Sequence, residues 1–471
     1  MAEESLFMVF SSLIFLWIFL PIVFIGYFLV PDKLKNVFLL LGSLLFYAWG
    51  EPKYILLMIC SIVINYVIGL LMDMYANRKK VLLICDIIIN LVILGYFKYF
   101  NFILRIISLG TGKELSSADI ALPIGISFFT FQILSYIIDL YRGKFKAQKN
   151  LINLALYISF FPQLIAGPIV RYEDIEVQLK YRKQTTEQIA SGIRRFIYGF
   201  GKKIILSNTI AQCVDLIFAL NYAELTGILA WAGALLYALQ IYYDFSGYSD
   251  MAIGLGKMFG FEFPENFNYP YMSSSIREFW QRWHISLGTW FREYLYIPLG
   301  GNRKGKTRTY VNLTIVFFLT GLWHGASFNF ILWGLYHGLF QILERLMLRV
   351  FLEKHKILAH VYTIIVFVFG WVIFRSDDLI QAGVMVRRML MPWEYTQSNL
   401  IMRRVFDNKT ILIILAGVLG SGLMQRLLYK TKNFRKWKDS YLEMAYCGAI
   451  LFLCIAALAS NTYNPFIYFR F

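Results

Sequence analysis

One uninterrupted apolar run limits the folds open to this chain. The stretch SLFMVFSSLIFLWIFLPIVFIGYFLV (5–30) carries no charged side chain. A helix needs about 20 apolar residues to cross the hydrocarbon core of a bilayer, so this run is long enough to span. Comparable runs recur to the end of the chain, and only 16% of the 471 residues are charged, where soluble domains carry about 25%. The sequence therefore predicts an all-α polytopic membrane protein.

The distribution of charge gives an expected orientation. Basic residues exceed acidic ones by 46 to 29, a net charge of +17, and they cluster in short segments between the apolar runs. Such clusters remain on the cytoplasmic side and face anionic lipid, so the excess predicts no nucleic-acid partner. Acidic residues precede the run 5–30, and Lys33 and Lys35 follow it. We therefore expect a retained span rather than a cleaved signal, with the N-terminus outside.

The apolar runs predict about 11–12 transmembrane helices in a single domain. We divide this domain into N-terminal helices (5–115), a core (120–345) and C-terminal helices (360–471). Prolines and glycines break the segment 150–170, which predicts a re-entrant hairpin walled by protein. On this count the basic segment 430–438 is cytoplasmic, whereas the pairs Arg387-Arg388 and Arg403-Arg404 lie outside, against the positive-inside rule. The predicted spans are 5–30, 36–49, 54–74, 81–100, 120–141, 193–220, 228–245, 311–331, 333–352, 361–375, 410–429 and 441–460.

The segment 276–296 has a different pattern. Its aromatic and aliphatic residues recur every three or four positions, and charged residues occupy the other positions. This pattern predicts one helix lying in the membrane interface, with His284 on the aromatic stripe. The loop 298–308 that follows is Gly-rich and basic, so we expect it in the cytoplasm. The stripe consists of Ile276, Phe279, Trp280, Trp283, Leu287, Trp290, Phe291 and Tyr294.

His324 lies in the apolar stretch GLWHGASFNFILWGLYHG (321–338), between two glycines that allow close approach of backbone or ligand. An ionisable residue at membrane depth is a functional hypothesis by default. A neutral imidazole can act as a general base on an alcohol, although a buried hydrogen-bonding histidine is the alternative. His337 falls on a different face of the helix unless Gly325 or the stretch 327–329 breaks it.

Other polar groups are weaker candidates. Asp244, in YYDFSGYSDMAIGLG (242–256), can orient an imidazole or bind a cation, or it can simply end a helix. The neighbouring GLGKMFG run lacks the spacing of a phosphate-binding loop. All five cysteines lie in apolar segments without a CxxC pair, so no metal site is predicted.

Together these residues resemble the membrane-bound O-acyltransferase family. The resemblance covers most of 120–345 and the end of the chain, through long and specific motifs. These are LPIGISFFTFQILSYIIDLYRG (122–143), FFPQLIAGPIVRYED (160–174), YYDFSGYSDMAIGLGKMFGF (242–261), REFWQRWHISLGTWFREYLYIPLGGNRKG (277–305), GLWHGASFNFILWGLYHG (321–338) and NPFIYFRF (464–471).

The resemblance implies that the core 120–345 is catalytic and surrounds a central catalytic channel. It likewise implies catalysis by His324 of the WHG motif, with His284 of the RWH motif as the second catalytic histidine. It also implies a cytoplasmic acyl thioester donor such as acetyl-CoA, with no bound cofactor or metal. The acceptor would be a hydroxyl of an extracytoplasmic polysaccharide, and an extracytoplasmic esterase-like (SGNH-type) protein would be the partner. Candidate substrate-binding residues are Asp244, Ser246, Trp323, Asn329, Arg303 and Lys304.

Two alternatives remain open from the sequence. A D-alanyl transferase of teichoic acid modification belongs to the same superfamily and would take its acyl group from a carrier protein. A transporter or flippase would do no covalent chemistry, and acidic residues such as Asp86 and Asp215 would suit ion coupling. Against the transporter, the inverted repeats expected of many such proteins are not evident.

Overall fold

The computed structural model describes residues 8–113, 115–394, 405–425, 440–460 and 463–467. The predictions for Arg403-Arg404 and for the basic segment 430–438 lie outside these residues. Within them the chain is helical, and the β-structure amounts to one isolated bridge between Phe267 and Trp283. The predicted all-α class is confirmed.

The chain forms two compact units. The first comprises residues 1–196 and 249–264, and the second comprises 197–248 and 265–471. The helices in chain order are α1 Leu20–Leu29, α2 Lys35–Gly50, α3 Ile55–Met74, α4 Lys79–Leu94, α5 Phe100–Thr111, α6 Ile126–Tyr141, α7 Leu151–Ser159, α8 Phe161–Leu164, α9 Tyr172–Lys180, α10 Thr186–Gly201, α11 Asn208–Phe218, α12 Gly227–Met258, α13 Ile276–Arg282, α14 Ile285–Phe291, α15 Lys306–His324, α16 Phe328–Leu343, α17 Arg349–Lys354, α18 Lys356–Arg375 and α19 Leu379–Leu390, followed by Asn408–Val418 and Tyr441–Ser460. Short π-helical segments occur at Phe15–Phe19, Gly95–Tyr99, Lys202–Ser207, Arg292–Tyr296, Glu344–Leu348 and Leu419–Leu423. Single turns of 3₁₀-helix occur at Asp32–Leu34, Ala76–Arg78, Pro270–Met272 and Pro392–Glu394.

Five helical segments among the described residues are long and apolar enough to cross a membrane. Their outward faces carry large apolar side chains such as Leu56, Val92 and Phe452, each more than 60% exposed. An apolar surface of this extent is stable against lipid but not against water. The predicted total of about 11–12 spans stays a prediction, since several predicted spans correspond to helices of 16 residues or fewer. The five segments are Ile55–Met74, Ala76–Thr111, Gly227–Met258, Lys356–Arg375 and Tyr441–Ser460.

In the first unit, the segment 150–170 is broken as predicted. Helix α7 ends at Ser159, and the four-residue α8 starts immediately before Pro162. The residues from 154 to 170 are all buried. Irregular backbone at membrane depth must be surrounded by protein, so this burial fits a hairpin inside the unit.

In the second unit, the core is aromatic and lies around α12, α16 and α18. Trp333 and Trp371 are fully buried in it, with ring centroids 6.0 Å apart. Large planar side chains in contact resist rearrangement, so this core gives the polar groups set into it fixed positions.

The prediction of a single interfacial helix over 276–296 is wrong. Helix α13 ends at Arg282, and α14 begins at Ile285 after a change of direction at His284. The predicted stripe, Trp280 apart, is buried. The three-four spacing is therefore a core-facing pattern, because a stripe that packs on protein and one that rests on lipid have the same periodicity.

Candidate active site

The hairpin of α15 and α16 positions His324. Helix α15 ends at His324, the backbone is extended at Gly325, and α16 begins at Phe328. The helix is thus broken between His324 and His337, the possibility that the sequence left open, and the boundary lies earlier than the predicted spans 311–331 and 333–352 had placed it. A Cβ on Gly321 would come closer than 3.0 Å to the carbonyl oxygen of Phe330, so the two helices approach each other through bare backbone.

Aromatic rings surround the imidazole of His324. Its centroid lies 5.0 Å from that of Trp323, 5.0 Å from that of Trp333 and 5.3 Å from that of Phe374. His324 is 6% exposed. Packing on three sides leaves the ring little rotational freedom, so its position is set before any substrate arrives.

His284 is held in an unusual backbone conformation. Its φ of 45° and ψ of 54° place it in the left-handed region, which costs free energy for a residue with a Cβ. Two hydrogen bonds enforce the turn: Ile285 N–H donates to Asn266 O at 3.0 Å, and Asn268 N–H donates to Arg282 O at 2.9 Å. Strain of this kind clusters at functional sites, which makes a functional role for His284 worth testing.

The His284 side chain is buried at 1% exposure, outside the spanning helices. Its Nδ1 lies 3.1 Å from Asn266 Oδ1, and its Nε2 has no hydrogen-bond partner among the described residues. The ring packs edge-on to Phe245, with centroids 4.7 Å apart. Burial lowers the pKa of His284 to about 3, so the imidazole is neutral at physiological pH.

Trp323 brings the two histidines into one site. Its ring centroid lies 5.8 Å from that of His284 and 5.0 Å from that of His324. His284 and His324, which are 40 residues apart in the sequence, therefore both contact the ring of Trp323. The indole of Trp323 carries one N–H group, which can only donate a hydrogen bond.

A cavity of about 940 Å³ opens beside His284. Arg303 and Lys304, two of the predicted substrate-binding residues, line it, whereas Lys306 and Arg308 do not. Arg277, Arg292 and Arg345 add further positive charge, and no acidic side chain is among the described lining residues. His324 does not line the cavity, although Thr320, one turn earlier in α15, does. The apolar lining includes Trp280, Leu287, Phe291, Leu313, Val316 and Phe317.

The remaining predicted site residues lie away from the cavity. Asp244 is buried and paired with Lys203, and it also accepts a hydrogen bond from Ile467 N–H at 2.8 Å. Asn329 donates to Ser376 O at 2.7 Å, which ties the start of α16 to the end of α18. Ser246 is buried. The contacts of Asp244 and Asn329 are structural, so the geometry gives no support to their prediction as substrate ligands.

Two residues that matter here were missed by the sequence reasoning. Lys203 could have been found from the sequence, because a lysine inside the predicted span 193–220 requires a partner at membrane depth. Asn266 could not, because nothing in the sequence FPENFNYP distinguishes it from any other asparagine in a loop. The two acidic residues that would suit ion coupling both have partners: half-buried Asp215 pairs with Arg375 at 2.7 Å, and buried Asp86 accepts from Asn90 at 3.0 Å.

Comparison with known proteins identifies the family. Residues 145–376 match the profile of the "membrane-bound O-acyltransferase family", a range that contains both histidines and the cavity. A protein named "Probable alginate O-acetylase" from Pseudomonas putida is 41% identical over 488 residues, covering 98% of this chain and 100% of the relative. The chain belongs to the membrane-bound O-acyltransferase family.

Two further relatives of this acyltransferase differ in their named acceptors. A peptidoglycan O-acetyltransferase from Helicobacter pylori is 37% identical over 421 residues, covering 81% of this chain and 80% of the relative. A teichoic acid D-alanyltransferase from Bacillus subtilis is 33% identical over 227 residues, covering 46% of this chain and 57% of the relative. The family membership makes this chain a multi-pass membrane enzyme that transfers acyl groups, which decides against the transporter alternative.

Proposed function

We propose that this enzyme transfers an acetyl group from a cytoplasmic thioester to a hydroxyl of an extracytoplasmic polysaccharide, without a bound metal or cofactor. The basic cavity that leads to buried His284 carries this proposal. The relatives named for alginate and peptidoglycan acetylation support a polysaccharide acceptor, and they cover more of the chain than the D-alanyltransferase does. An extracytoplasmic esterase-like protein would be the partner that passes the acyl group to the polymer.

The composition of the cavity wall favours coenzyme A as the donor. Five cationic side chains of the lining are exposed, and they attract a polyanionic nucleotide. Leu287, Phe291 and Phe317 of the lining are buried and apolar, which suits an uncharged thioester arm. The lining therefore offers both the positive charge and the apolar surface that an acyl-coenzyme A thioester would require.

In the proposed reaction, His324 acts as the general base. It removes the proton of the acceptor hydroxyl as the oxygen attacks the thioester carbonyl, and the C–S bond then breaks. The departing sulfur takes the proton back, so the products are an ester and a free thiol. The Trp323 N–H stabilises the oxyanion, and His284 acts with His324 from the cavity side.

Charge reversal within one loop tests the donor site. Lys304→Glu should weaken the apparent affinity for acetyl-CoA and reduce its dependence on salt, because Lys304 lines the cavity. Lys306→Glu is the matched control, since Lys306 is two residues away, exposed and outside the cavity lining. Equal effects of the two substitutions would mean that the loop charges serve topology alone.

Sealed vesicles test the direction of transfer. Inverted vesicles given radiolabelled acetyl-CoA outside should accumulate label on polysaccharide inside, and right-side-out vesicles should not. Equal labelling of both orientations refutes the geometry. The ester content of envelope polysaccharide, compared with and without the protein, tests the acyl group: a loss of acetyl esters supports the proposal, and a loss of D-alanyl esters supports the alternative.

A further inference from the structure

We propose that Asn266 is a positioning residue that fixes the tautomer of His284, with the proton on Nδ1 and the lone pair on Nε2. The catalytic consequence rests on the function proposed above, whereas the tautomer itself follows from hydrogen-bond geometry. Asn266 and His284 lie 18 residues apart and are both buried, at 1% exposure each.

The orientation of the Asn266 amide is determined by Ser286. The backbone N–H of Ser286 donates to Asn266 Oδ1 at 3.3 Å, and the Ser286 hydroxyl donates to the same atom at 2.9 Å. A backbone N–H can only donate, so the atom that faces it must be the amide oxygen and not the amide nitrogen. The side-chain flip that usually makes asparagine ambiguous is excluded here.

The tautomer of His284 follows from that orientation. Its Nδ1 lies 3.1 Å from Asn266 Oδ1, and an amide oxygen can only accept. Nδ1 must therefore carry a proton. Because burial keeps the ring neutral, with a pKa of about 3, Nε2 is left unprotonated.

The main chain reinforces the same pairing. Ile285 N–H donates to the backbone carbonyl of Asn266, and the neighbouring residues Phe267 and Trp283 form the isolated β-bridge. The bridge fixes the register between the chain segments around Phe267 and Trp283, and it therefore holds Asn266 beside His284. His284 thus takes its left-handed backbone and its side-chain proton position from the same short loop.

This arrangement limits what His284 can do in acyl transfer. Nε2 has no partner among the described residues, and His284 lines the cavity. An unprotonated nitrogen accepts a hydrogen bond from a hydroxyl there but cannot donate to the thioester oxygen, and its low pKa makes it a poor proton acceptor. His284 therefore orients the hydroxyl for deprotonation by His324, and stabilisation of the oxyanion falls to N–H groups such as that of Trp323.

Nitrogen-15 NMR of the full-length protein, labelled at histidine, tests the tautomer directly. The His284 signals are assigned by their loss in His284→Gln, and the wild type should show a protonated Nδ1 and a bare Nε2 at pH 7. Asn266→Leu removes the acceptor at similar size, so the other tautomer should appear and turnover should fall. The fall should lie between about tenfold and about 10⁴-fold, the range from partial to complete loss of the correct tautomer. Asn266→Asp keeps an oxygen acceptor and should retain the Nδ1–H signal with turnover within about tenfold of wild type.

Each result decides the proposal. A protonated Nε2 in the wild-type protein overturns it, whether or not any variant folds. Identical spectra and turnover for Asn266→Leu and Asn266→Asp also overturn it, as does an altered tautomer with full turnover. Absence of acetyl transfer by the wild type would instead count against the proposed function, because the spectrum reports the tautomer independently of activity.

Discussion

Replacing Gly321 by alanine should separate the two helices that hold His324. A Cβ at this position meets the backbone carbonyl of Phe330 at less than 3.0 Å, and ordinary contact begins at 3.4 Å. The helices must therefore move apart by at least 0.4 Å (3.4 minus 3.0). The opposing atom is a backbone oxygen and cannot rotate away as a side chain would, so the overlap is relieved by a shift of the helices.

The magnitude follows from the position of Gly321, three residues before His324 on α15. Overpacking of this kind costs about 1–3 kcal/mol of stability. A shift of roughly 1 Å in a catalytic group costs about 10²-fold in rate, and the minimum shift of 0.4 Å costs less, roughly fivefold in proportion. We therefore expect acetyl transfer by Gly321→Ala to fall between about fivefold and about a hundredfold, with a lower midpoint of thermal unfolding.

Gly383→Ala is the matched control, because a Cβ at this position in α19 meets nothing within 4 Å. Alanine favours a helix over glycine by about 1 kcal/mol, so this variant should be unchanged or more stable. Both proteins would be purified in detergent and compared for acetyl transfer from radiolabelled acetyl-CoA and for thermal unfolding. Turnover of Gly321→Ala equal to that of Gly383→Ala would refute the close-packing argument.

Three further predictions concern buried polar groups. His324→Ala should lower acetyl transfer by about 10²–10⁴-fold while the protein still purifies in a folded state. His284→Ala should be comparably severe because the His284 ring lines the cavity, and His355→Ala, at an exposed position, is the control. Near-normal turnover of His324→Ala would disprove the assignment of His324 as the base. Lys203→Met should lower the free energy of unfolding by about 3–5 kcal/mol, because it leaves Asp244 buried without its cation. Adding Asp244→Asn should restore much of that stability, as measured by thermal unfolding. No recovery in the double variant would contradict the prediction. The pKa of His284, near 3 in the folded protein and 6.5 when unfolded, means that the unfolded chain binds more protons between these values. Stability should therefore fall as pH drops below about 6.5, and His284→Gln should show a weaker dependence in melts at about pH 5 and pH 7; an unchanged dependence would argue against a neutral His284.

The sequence was sufficient for the helical class, because long charge-free runs indicate spans. It also made His324 a candidate, because an imidazole between glycines in such a run is unusual. Gly321 was correctly expected to allow close backbone approach. The resemblance to the family added His284, which periodicity alone had assigned to an interfacial stripe.

The error over 276–296 has a physical origin. A helix on lipid and a helix on a protein core both need apolar residues every three or four positions, so periodicity cannot distinguish them. The break at His284 is likewise invisible, because a left-handed histidine has no compositional signature comparable to that of glycine. The break is set by two backbone hydrogen bonds, in which Asn266 O accepts from Ile285 N–H and Asn268 N–H donates to Arg282 O. Both asparagines precede α13 in the sequence.

Asn266 illustrates why the chemistry of the site required coordinates. Its amide oxygen accepts from the hydroxyl and backbone of Ser286 and from His284, so three donors converge on one atom. This convergence depends on the positions of the three groups in space, and it produces no recognisable spacing of residues in the sequence. A histidine can be proposed as the base from residue type, but the nitrogen of His284 that is free to accept a hydrogen bond is set by a neighbour with no motif of its own. The tautomer of a buried histidine should therefore be assigned only after the acceptor at its Nδ1 has been located.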